Sequence, residues 1–103
     1  MDDTRALAAF AALSNGDRLA IVRRLVRAGD QGVPASELAN AVGASPSRTS
    51  FHLSALSETG LIVAEKRSRQ MIYRVSFETM GHLAGFLLTD CCADNPVARS
   101  CCQ

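Results

Sequence analysis

Apolar residues recur at spacings of three and four along the first half of the chain, which is the period of an amphipathic helix. The pattern predicts an alanine-rich first helix over 5–13 and a second helix that ends at the glycine-containing turn 29–32. One face of the second helix carries Leu19, Val22, Leu25 and Val26. Ser14 and Asp17, three residues apart, are interpreted as a capping box for this helix in which Asp replaces Glu.

Two shorter helices follow, over 35–42 and from Pro46 to about Thr59, with a tight turn between them. Gly43 suits the left-handed position that ends a helix, and Ser45-Pro46 supplies a hydroxyl N-cap followed by proline at the first helical position. Helices joined in this way are typical of a helix-turn-helix, in which the second helix enters the DNA major groove. An ordinary helical hairpin has the same pattern.

The next segment predicts a β-hairpin with a basic tip. Residues 61–64 form a short apolar run, and in residues 71–76 Met71, Tyr73 and Val75 alternate with Ile72, Arg74 and Ser76, which predicts a second strand. The intervening segment 65–70 carries three cations, Lys66, Arg67 and Arg69. A helix-turn-helix followed by a basic hairpin indicates a winged helix that binds DNA. The alternative for the charges alone is a solvated turn.

A last helix is predicted over 77–91, with a wide apolar stripe. The stripe consists of Met80, Leu83, Ala84, Leu87 and Leu88, and is widened by Phe77 and Phe86. This is more apolar surface than a terminal helix of a small domain usually needs, so we expect a homodimer through the last and first helices. The alternative is a core helix of a monomer.

The predicted fold is therefore mainly α with a small β-hairpin, a winged helix-turn-helix with the order ααααββα. Residues 1–92 are expected to form the DNA-binding and dimerisation domain, and residues 93–103 a flexible tail that contains cysteines.

Charge is unevenly distributed along the 103 residues. The chain has 11 basic and 10 acidic residues, for a net charge of +1. Residues 43–74 hold five of the basic and two of the acidic residues, whereas residues 75–103 hold one basic and three acidic residues. The middle segment is thus basic and the C-terminal segment acidic, and a dimer would carry twice the net charge of each.

Targeting signals are not evident in the sequence. No 18-residue apolar run exists, and Asp2-Asp3 stand where a signal peptide would be basic. We therefore expect a cytoplasmic protein without a membrane partner.

All four cysteines, Cys91, Cys92, Cys101 and Cys102, lie in the last 13 residues. Cysteines that staple a small secreted fold would be spread along the chain. In a cytoplasmic protein the thiols are expected to be reduced, so metal, metalloid or redox chemistry is favoured over structural disulfides.

Four segments resemble motifs of the ArsR/SmtB family of winged-helix metalloregulatory repressors. The segments are 13–21 (LSNGDRLAI), 50–56 (SFHLSAL), 58–62 (ETGLI) and 70–74 (QMIYR). The first resembles the family's opening motif, the second its recognition helix, and the other two its wing. The resemblance implies a homodimeric repressor that binds double-stranded operator DNA and leaves it when an inducer binds.

The family's branches differ in where the inducer binds. Residues 33–38, where one branch carries arsenic-binding cysteines, contain none, and the last helix offers only Glu78 and His82 for the branch with Asp, His and Glu ligands. The chain resembles the branch with a C-terminal vicinal cysteine pair. That resemblance implies trivalent arsenic or antimony, or methylarsenite, bound by Cys91 and Cys92 with Cys101 or Cys102, within one subunit or between two.

The chemistry of the thiols leaves alternatives open. Trivalent arsenic and antimony are thiophilic and take three thiolates, and adjacent Cα atoms about 3.8 Å apart bring two sulfurs close together. A soft cation such as cadmium, zinc or copper(I) is a second possibility, although Cys-x-x-Cys spacing is missing. A third is a reversible disulfide in a redox-sensing repressor. A thiol enzyme is disfavoured, because no His or Lys is placed to activate a cysteine.

Candidate DNA contacts come from the fourth helix and the hairpin tip. On the helix they are Ser45, Ser47, Arg48, Ser50 and Phe51, and on the hairpin Lys66, Arg67, Arg69 and Gln70. Arg48 suits bidentate readout of guanine, and the hairpin cations suit phosphates or the minor groove. His52 is equally compatible with DNA contact and with packing between helices.

Overall fold

The computed structural model describes residues 1–100, which form helices with a small sheet. The helices are α1 (Asp3–Leu13), α2 (Gly16–Ala28), α3 (Ala35–Val42), α4 (Pro46–Glu58), α5 (Phe77–Phe86) and α6 (Pro96–Ser100). The strands are β1 (Val33–Pro34), β2 (Ile62–Arg67) and β3 (Gln70–Val75), and a π-helical turn, Leu87–Cys91, extends α5. The predicted winged helix-turn-helix order is confirmed, with β1 and α6 as additions.

One hydrophobic core joins α1–α4 to the base of the hairpin. Its fully buried large side chains are Ile21, Leu25, Leu38, Leu53, Leu56, Leu61 and Ile62. The fully buried side chains of α1 are alanines, Ala6, Ala9 and Ala12. Phe10 and Leu13 of the same helix are partly buried and pack against this core.

The start of α2 corrects one sequence prediction. Asn15, and not Ser14, is the N-cap, and its side chain accepts a hydrogen bond from the Arg18 backbone N–H at 3.1 Å. Asn15 has the extended φ of −160° and ψ of 132° that a capping residue needs. The capping box was therefore wrong, and the Asp17 side chain turns to α4 instead.

The turn between α3 and α4 follows the local rules that the sequence indicated. Gly43 is left-handed, with φ 68° and ψ 30°, and ends α3. Ser45 caps α4 by accepting a hydrogen bond from the Arg48 backbone N–H at 3.2 Å, and Pro46 begins the helix. These two features fix the direction in which α4 leaves the turn.

The sheet has three antiparallel strands in the order β1-β3-β2. Strands β2 and β3 form the predicted hairpin, in register from Ile62 opposite Val75 to Arg67 opposite Gln70. Strand β1 was not predicted, and it pairs with the base of β3 through Val33 opposite Tyr73. The edge of the hairpin base is thus covered by a third strand.

The last predicted helix is divided in two. Regular α-helix ends at Phe86 and the π-helical turn continues to Cys91, after which Ala93 and Asp94 are left-handed (φ 48° and 55°). The backbone N–H of Asp94 bonds to the Leu88 carbonyl at 2.7 Å. Residues 96–100 form α6, and the prediction of a flexible tail over 93–103 stays a prediction.

Within the part of the chain that the structure describes, no helix is long and apolar enough to cross a membrane.

Candidate nucleic-acid interface

The N-terminal half of α4 presents the five predicted contact residues on its outer side. Ser45, Ser47, Arg48, Ser50 and Phe51 are all exposed, and the Phe51 side chain is uncovered to 64%. The opposite side of the helix buries Thr49, His52, Leu53 and Leu56 in the core. The structure therefore brings the serines, Arg48 and Phe51 together on one surface at the start of a helix.

Arg48 forms an ion pair with Asp17 across the junction of α2 and α4. Its Nη2 lies 2.6 Å from Asp17 Oδ2. The Arg48 side chain is 65% exposed and that of Asp17 only 28%. The contact thus joins a partly exposed carboxylate to a guanidinium that is largely exposed.

His52 is placed between α2 and α4 rather than on the outer surface. It is 6% exposed, and its Nδ1 accepts a hydrogen bond from Arg18 Nε at 3.1 Å. The other ring nitrogen, Nε2, is buried 3.5 Å from Asp17 Oδ2 and forms no hydrogen bond with any group among residues 1–100. This is the packing position that the sequence left open, and it does not present the imidazole to a ligand.

Arg18 connects three parts of this junction. Besides its bond to His52, its guanidinium carbon lies 5.6 Å from the centre of the Phe51 ring, in cation–π geometry. Its Nη1 lies 3.5 Å from the Ala12 carbonyl oxygen near the end of α1. One partly buried arginine therefore contacts α1 and two residues of α4.

The hairpin tip, hereafter the wing, exposes Lys66, Arg67, Arg69 and Gln70 around a left-handed Ser68. Arg67 is already engaged, because its Nη2 lies 3.1 Å from Glu65 Oε2 and its Nη1 donates to the Gln31 carbonyl at 3.3 Å. Within residues 1–100, Lys66 and Arg69 have no ion-pair partner. The wing thus carries two uncompensated cations and a third held by Glu65.

Glu65 lies among the wing's cations. Its Oε2 accepts hydrogen bonds from Arg67 and Arg74, both at 3.1 Å. The hydrogen bond and charge of Arg67, together with Arg74, lower the pKa of Glu65 below its ordinary value. The carboxylate is therefore ionised at neutral pH and offsets part of the wing's positive charge.

The structure describes half of the predicted thiol site. Cys91 and Cys92 are free and exposed, at the point where the π-helical turn ends. Cys101 and Cys102 lie outside the described residues. Over residues 1–100 no three His, Cys, Asp or Glu side chains are grouped as a metal site. Any site with three thiolates from one subunit therefore needs a ligand from outside this range.

A groove of about 300 Å³ runs between α1 and the end of α5. It is lined by Asp3, Ala6, Leu7, Phe10, Phe86, Asp90 and Cys91. Leu7 is 68% exposed, and Leu87, on the predicted stripe, is 42% exposed. Cys91 thus borders an apolar surface that one copy of the chain leaves uncovered.

Three residues of this interface were missed by sequence reasoning. Asp17 was assigned to a helix cap, Arg18 was treated only as part of a motif, and Glu65 was counted only as a charge. The position of Arg18 within segment 13–21, which resembles the family's opening motif, was the one indication that it had a specific role.

Comparisons with known proteins identify the fold in other chains. A family model described as a helix-turn-helix domain matches residues 13–64, half of the chain. An ArsR-like transcriptional regulator from Rhodococcus sp. RHA1 is 29% identical, with 93% of this chain and 89% of that chain covered and a TM-score of 0.77. A search of curated proteins found no match.

Two further solved structures are similar. One is the homodimeric winged helix-turn-helix DNA-binding domain of a possible ArsR-family transcriptional regulator from Mycobacterium bovis (25% identity, 96% and 93% covered, TM-score 0.68). The other is reduced HlyU from Vibrio cholerae (26% identity, 82% and 86% covered, TM-score 0.66). The chain belongs to the helix-turn-helix domain family and is a DNA-binding transcriptional regulator of the ArsR and HlyU type, not an enzyme.

Proposed function

We propose that this regulator is a homodimeric repressor that binds operator DNA through α4 and the wing, and is released when a thiol-reactive inducer binds its C-terminal cysteines. The observation that supports the DNA contacts is the exposed N-terminal face of α4, where Arg48, Phe51 and three serines are grouped. In helix-turn-helix proteins the N-terminal residues of the second helix contact the base edges. The cations of the wing then contact phosphates or the minor groove.

The dimer is proposed to form through α1 and α5. Of the apolar stripe on α5 and its extension, Leu83 is buried, whereas Leu87 is 42% exposed and Phe77 51% exposed. Leu7 on α1 lines the groove between α1 and the end of α5. A similar domain from Mycobacterium bovis is described as homodimeric. Two copies would cover this surface and present two recognition helices to two half-sites.

The DNA part of the proposal is tested with duplexes selected from a randomised pool by the full-length protein. We expect the affinity of the wild type to fall steeply with salt, because basic residues displace counterions from phosphates. Arg48→Ala should lower the affinity for the selected duplex by roughly tenfold or more. The accompanying loss of base preference should be largest at a single base pair. A salt-independent affinity would contradict phosphate contacts by the wing.

The proposed inducer is trivalent arsenic or antimony, or a methylated arsenite. Cys91 and Cys92 are adjacent, exposed and free. The backbone leaves helical geometry at Cys92, with φ −116° and ψ 2°, so the two side chains are not held at the angular offset of a helix. Two thiolates satisfy a methylated arsenite, whereas an unmethylated ion needs a third from Cys101 or Cys102. Soft thiolate ligands favour such ions over hard cations.

A redox-sensing repressor is the second candidate. A similar structure is described as reduced HlyU from Vibrio cholerae, which makes the thiol oxidation state a relevant variable here. In this case two thiols and one hydrogen peroxide would give one disulfide and two waters, with both thiol protons leaving in the water. The exposed thiols of Cys91 and Cys92 are accessible to either chemistry.

One titration separates the two candidates. The full-length protein on its selected duplex is treated with arsenite, antimonite, methylarsenite, cadmium or peroxide, and release is followed by fluorescence anisotropy. We expect arsenite to release the wild type, and neither Cys91→Ser nor Cys92→Ser to be released as readily. Of Cys101→Ser and Cys102→Ser, the one that removes the third ligand should also resist arsenite but not methylarsenite.

Each variant first has to bind the duplex as the wild type does when no inducer is present. Release of Cys91→Ser or Cys92→Ser at the wild-type arsenite concentration would show that the site is elsewhere. Release by peroxide alone would favour the redox repressor, and release by cadmium alone a soft-cation sensor.

A further inference from the structure

Asp17 and Arg48 are 31 residues apart in the chain, yet they form the short ion pair at the start of the recognition helix. Asp17 is on the first turn of α2, and Arg48 is on the first turn of α4. The carboxylate is 28% exposed and the guanidinium 65% exposed. The acid is therefore the more enclosed partner, and the arginine is the one that faces solvent.

The guanidinium has donors to spare. Arginine offers five N–H groups in a planar fork, and only Nη2 of Arg48 donates a hydrogen bond to Asp17. No other side chain or carbonyl among residues 1–100 accepts a hydrogen bond from the Arg48 side chain. Bidentate readout of guanine uses two donors. Arg48 therefore has enough N–H donors to bond Asp17 and to contact a base with two hydrogen bonds at the same time.

Asp17 also lies close to the packed junction of α2 and α4. Its Oδ2, the same atom that bonds Arg48, lies 3.5 Å from Nε2 of the buried His52. His52 is in turn fixed by the hydrogen bond from Arg18. The Arg48 guanidinium is thus bonded to a carboxylate that lies beside the packed junction of α2 and α4.

We propose that Asp17 is a positioning residue that orients Arg48 for readout of one base pair, and so determines the base preference at that position. The proposal rests on the proposed DNA contact of α4. An exposed arginine loses rotamer freedom when it docks, and Asp17 has already restricted that freedom. Next to phosphates the same carboxylate repels DNA of every sequence, so it disfavours non-specific binding while it favours the correct base.

The test compares base preference with overall affinity. Full-length wild type, Asp17→Ala, Asp17→Asn and Arg48→Ala are assayed on the wild type's selected duplex, on its single-base variants and on random duplex. At the base pair that Arg48→Ala affects, we expect Asp17→Ala to lower the ratio of affinities for the correct and the substituted base by at least about threefold. Its affinity for random duplex should rise or stay the same. Asp17→Asn keeps an acceptor, so its loss should be smaller.

A double-mutant cycle and a charge control sharpen the result. In the Arg48→Ala background, Asp17→Ala should cause no further loss of discrimination, because both act through one guanidinium. Asp30→Ala removes the same charge from the turn after α2, where Asp30 has no ion-pair partner among residues 1–100. It should leave the base preference unchanged. Thermal midpoints report whether each variant is folded.

Three outcomes would overturn the proposal. One is that Asp17→Ala keeps the wild-type base preference and binds every duplex more tightly. Asp17 would then act only by repelling the phosphates. Another is equal effects of Asp17→Ala and Asp17→Asn on every sequence. The third is Arg48→Ala with the wild-type preference, which would remove Arg48 from readout but leave the repressor function standing. A wild type that selects no sequence would contradict the proposed function itself.

Discussion

Glu65 Oε2 accepts a hydrogen bond from Arg74 Nη1 at 3.1 Å, across strands β2 and β3 of the hairpin. The same oxygen holds Arg67, one of the candidate DNA contacts. Arg67 is therefore shared between an internal acid and any phosphate that approaches the wing. A cation that is compensated inside the protein contributes less to DNA binding than a free one.

Glu65→Gln should tighten the binding of duplex DNA of any sequence by a few-fold. The change removes a negative charge beside the phosphates and frees Arg67, so the slope of log affinity against log salt should steepen by up to about 0.9 per added phosphate contact. Filter binding or anisotropy over a range of salt concentrations measures this. Glu78→Gln, on the first turn of α5, removes the same charge outside the wing and should leave the slope unchanged.

The titration of Glu65 should reflect its two arginine partners. Because Arg67 and Arg74 lower its pKa, Glu65 should titrate below the ordinary glutamate value of about 4.3. A carboxyl whose pKa is lowered by folding stabilises the fold above its unfolded pKa, and that contribution is lost as the pH falls through the folded pKa. Side-chain carbon NMR shifts against pH test this. A pKa at or above about 4.3 would contradict the ion pairs.

Gly32→Ala should destabilise the protein by about 1–3 kcal/mol or more. Gly32 has φ 72°, and a Cβ there would lie 2.6 Å from the Tyr73 carbonyl oxygen. Gly29→Ala is the matched control, since Gly29 has φ 66° and a Cβ at that position would meet no atom within 4 Å. Urea unfolding should show a clearly smaller loss for Gly29→Ala. Equal losses would mean that backbone conformation alone matters.

Asn15→Ala should lower the free energy of unfolding by about 1 kcal/mol, the usual cost of a lost N-cap. Ser14→Ala should change it little, because Asn15 and not Ser14 bonds the first turn of α2. Chemical unfolding of the two variants under the same conditions measures the difference. The reverse order would restore the capping box that the sequence alone indicated.

Leu7→Lys should convert a dimer into a monomer and weaken operator binding. Leu7 is 68% exposed on the apolar surface proposed as the interface, and a buried lysine without a partner is costly. Val26→Lys is the control, because Val26 is 42% exposed on α2, outside that surface. Light scattering gives the oligomeric state. Two monomeric or two dimeric variants would argue against the interface at α1.

Local chemistry accounts for the parts of the fold that the sequence predicted. The Gly43 turn and the Ser45-Pro46 start of α4 depend on residues next to one another, so each is visible in a short window. The hairpin likewise follows from two short strand patterns, 61–64 and 71–76, on either side of a polar segment. Strand β1 has two residues, which is too short for any periodicity to show.

The side-chain contacts of the candidate interface are long-range, and this is why they were missed. Asp17 is chemically suited both to a local cap and to an arginine partner, and only the packing of α2 against α4 selects the second. The same holds for Arg67 and the Gln31 carbonyl, 36 residues apart. The exposed positions of α4 were predictable because they require only the helical period.

Arg18 touches the Ala12 carbonyl near the end of α1 and the imidazole of His52 in the middle of α4. In a dimer that forms through α1, Arg18 would therefore connect the subunit interface to the recognition helix α4. The distance between two such helices in a dimer has to match one turn of DNA, about 34 Å. The contacts of the Arg18 side chain would then influence the distance between the two recognition helices, and so the spacing of the half-sites, without contact between Arg18 and a base.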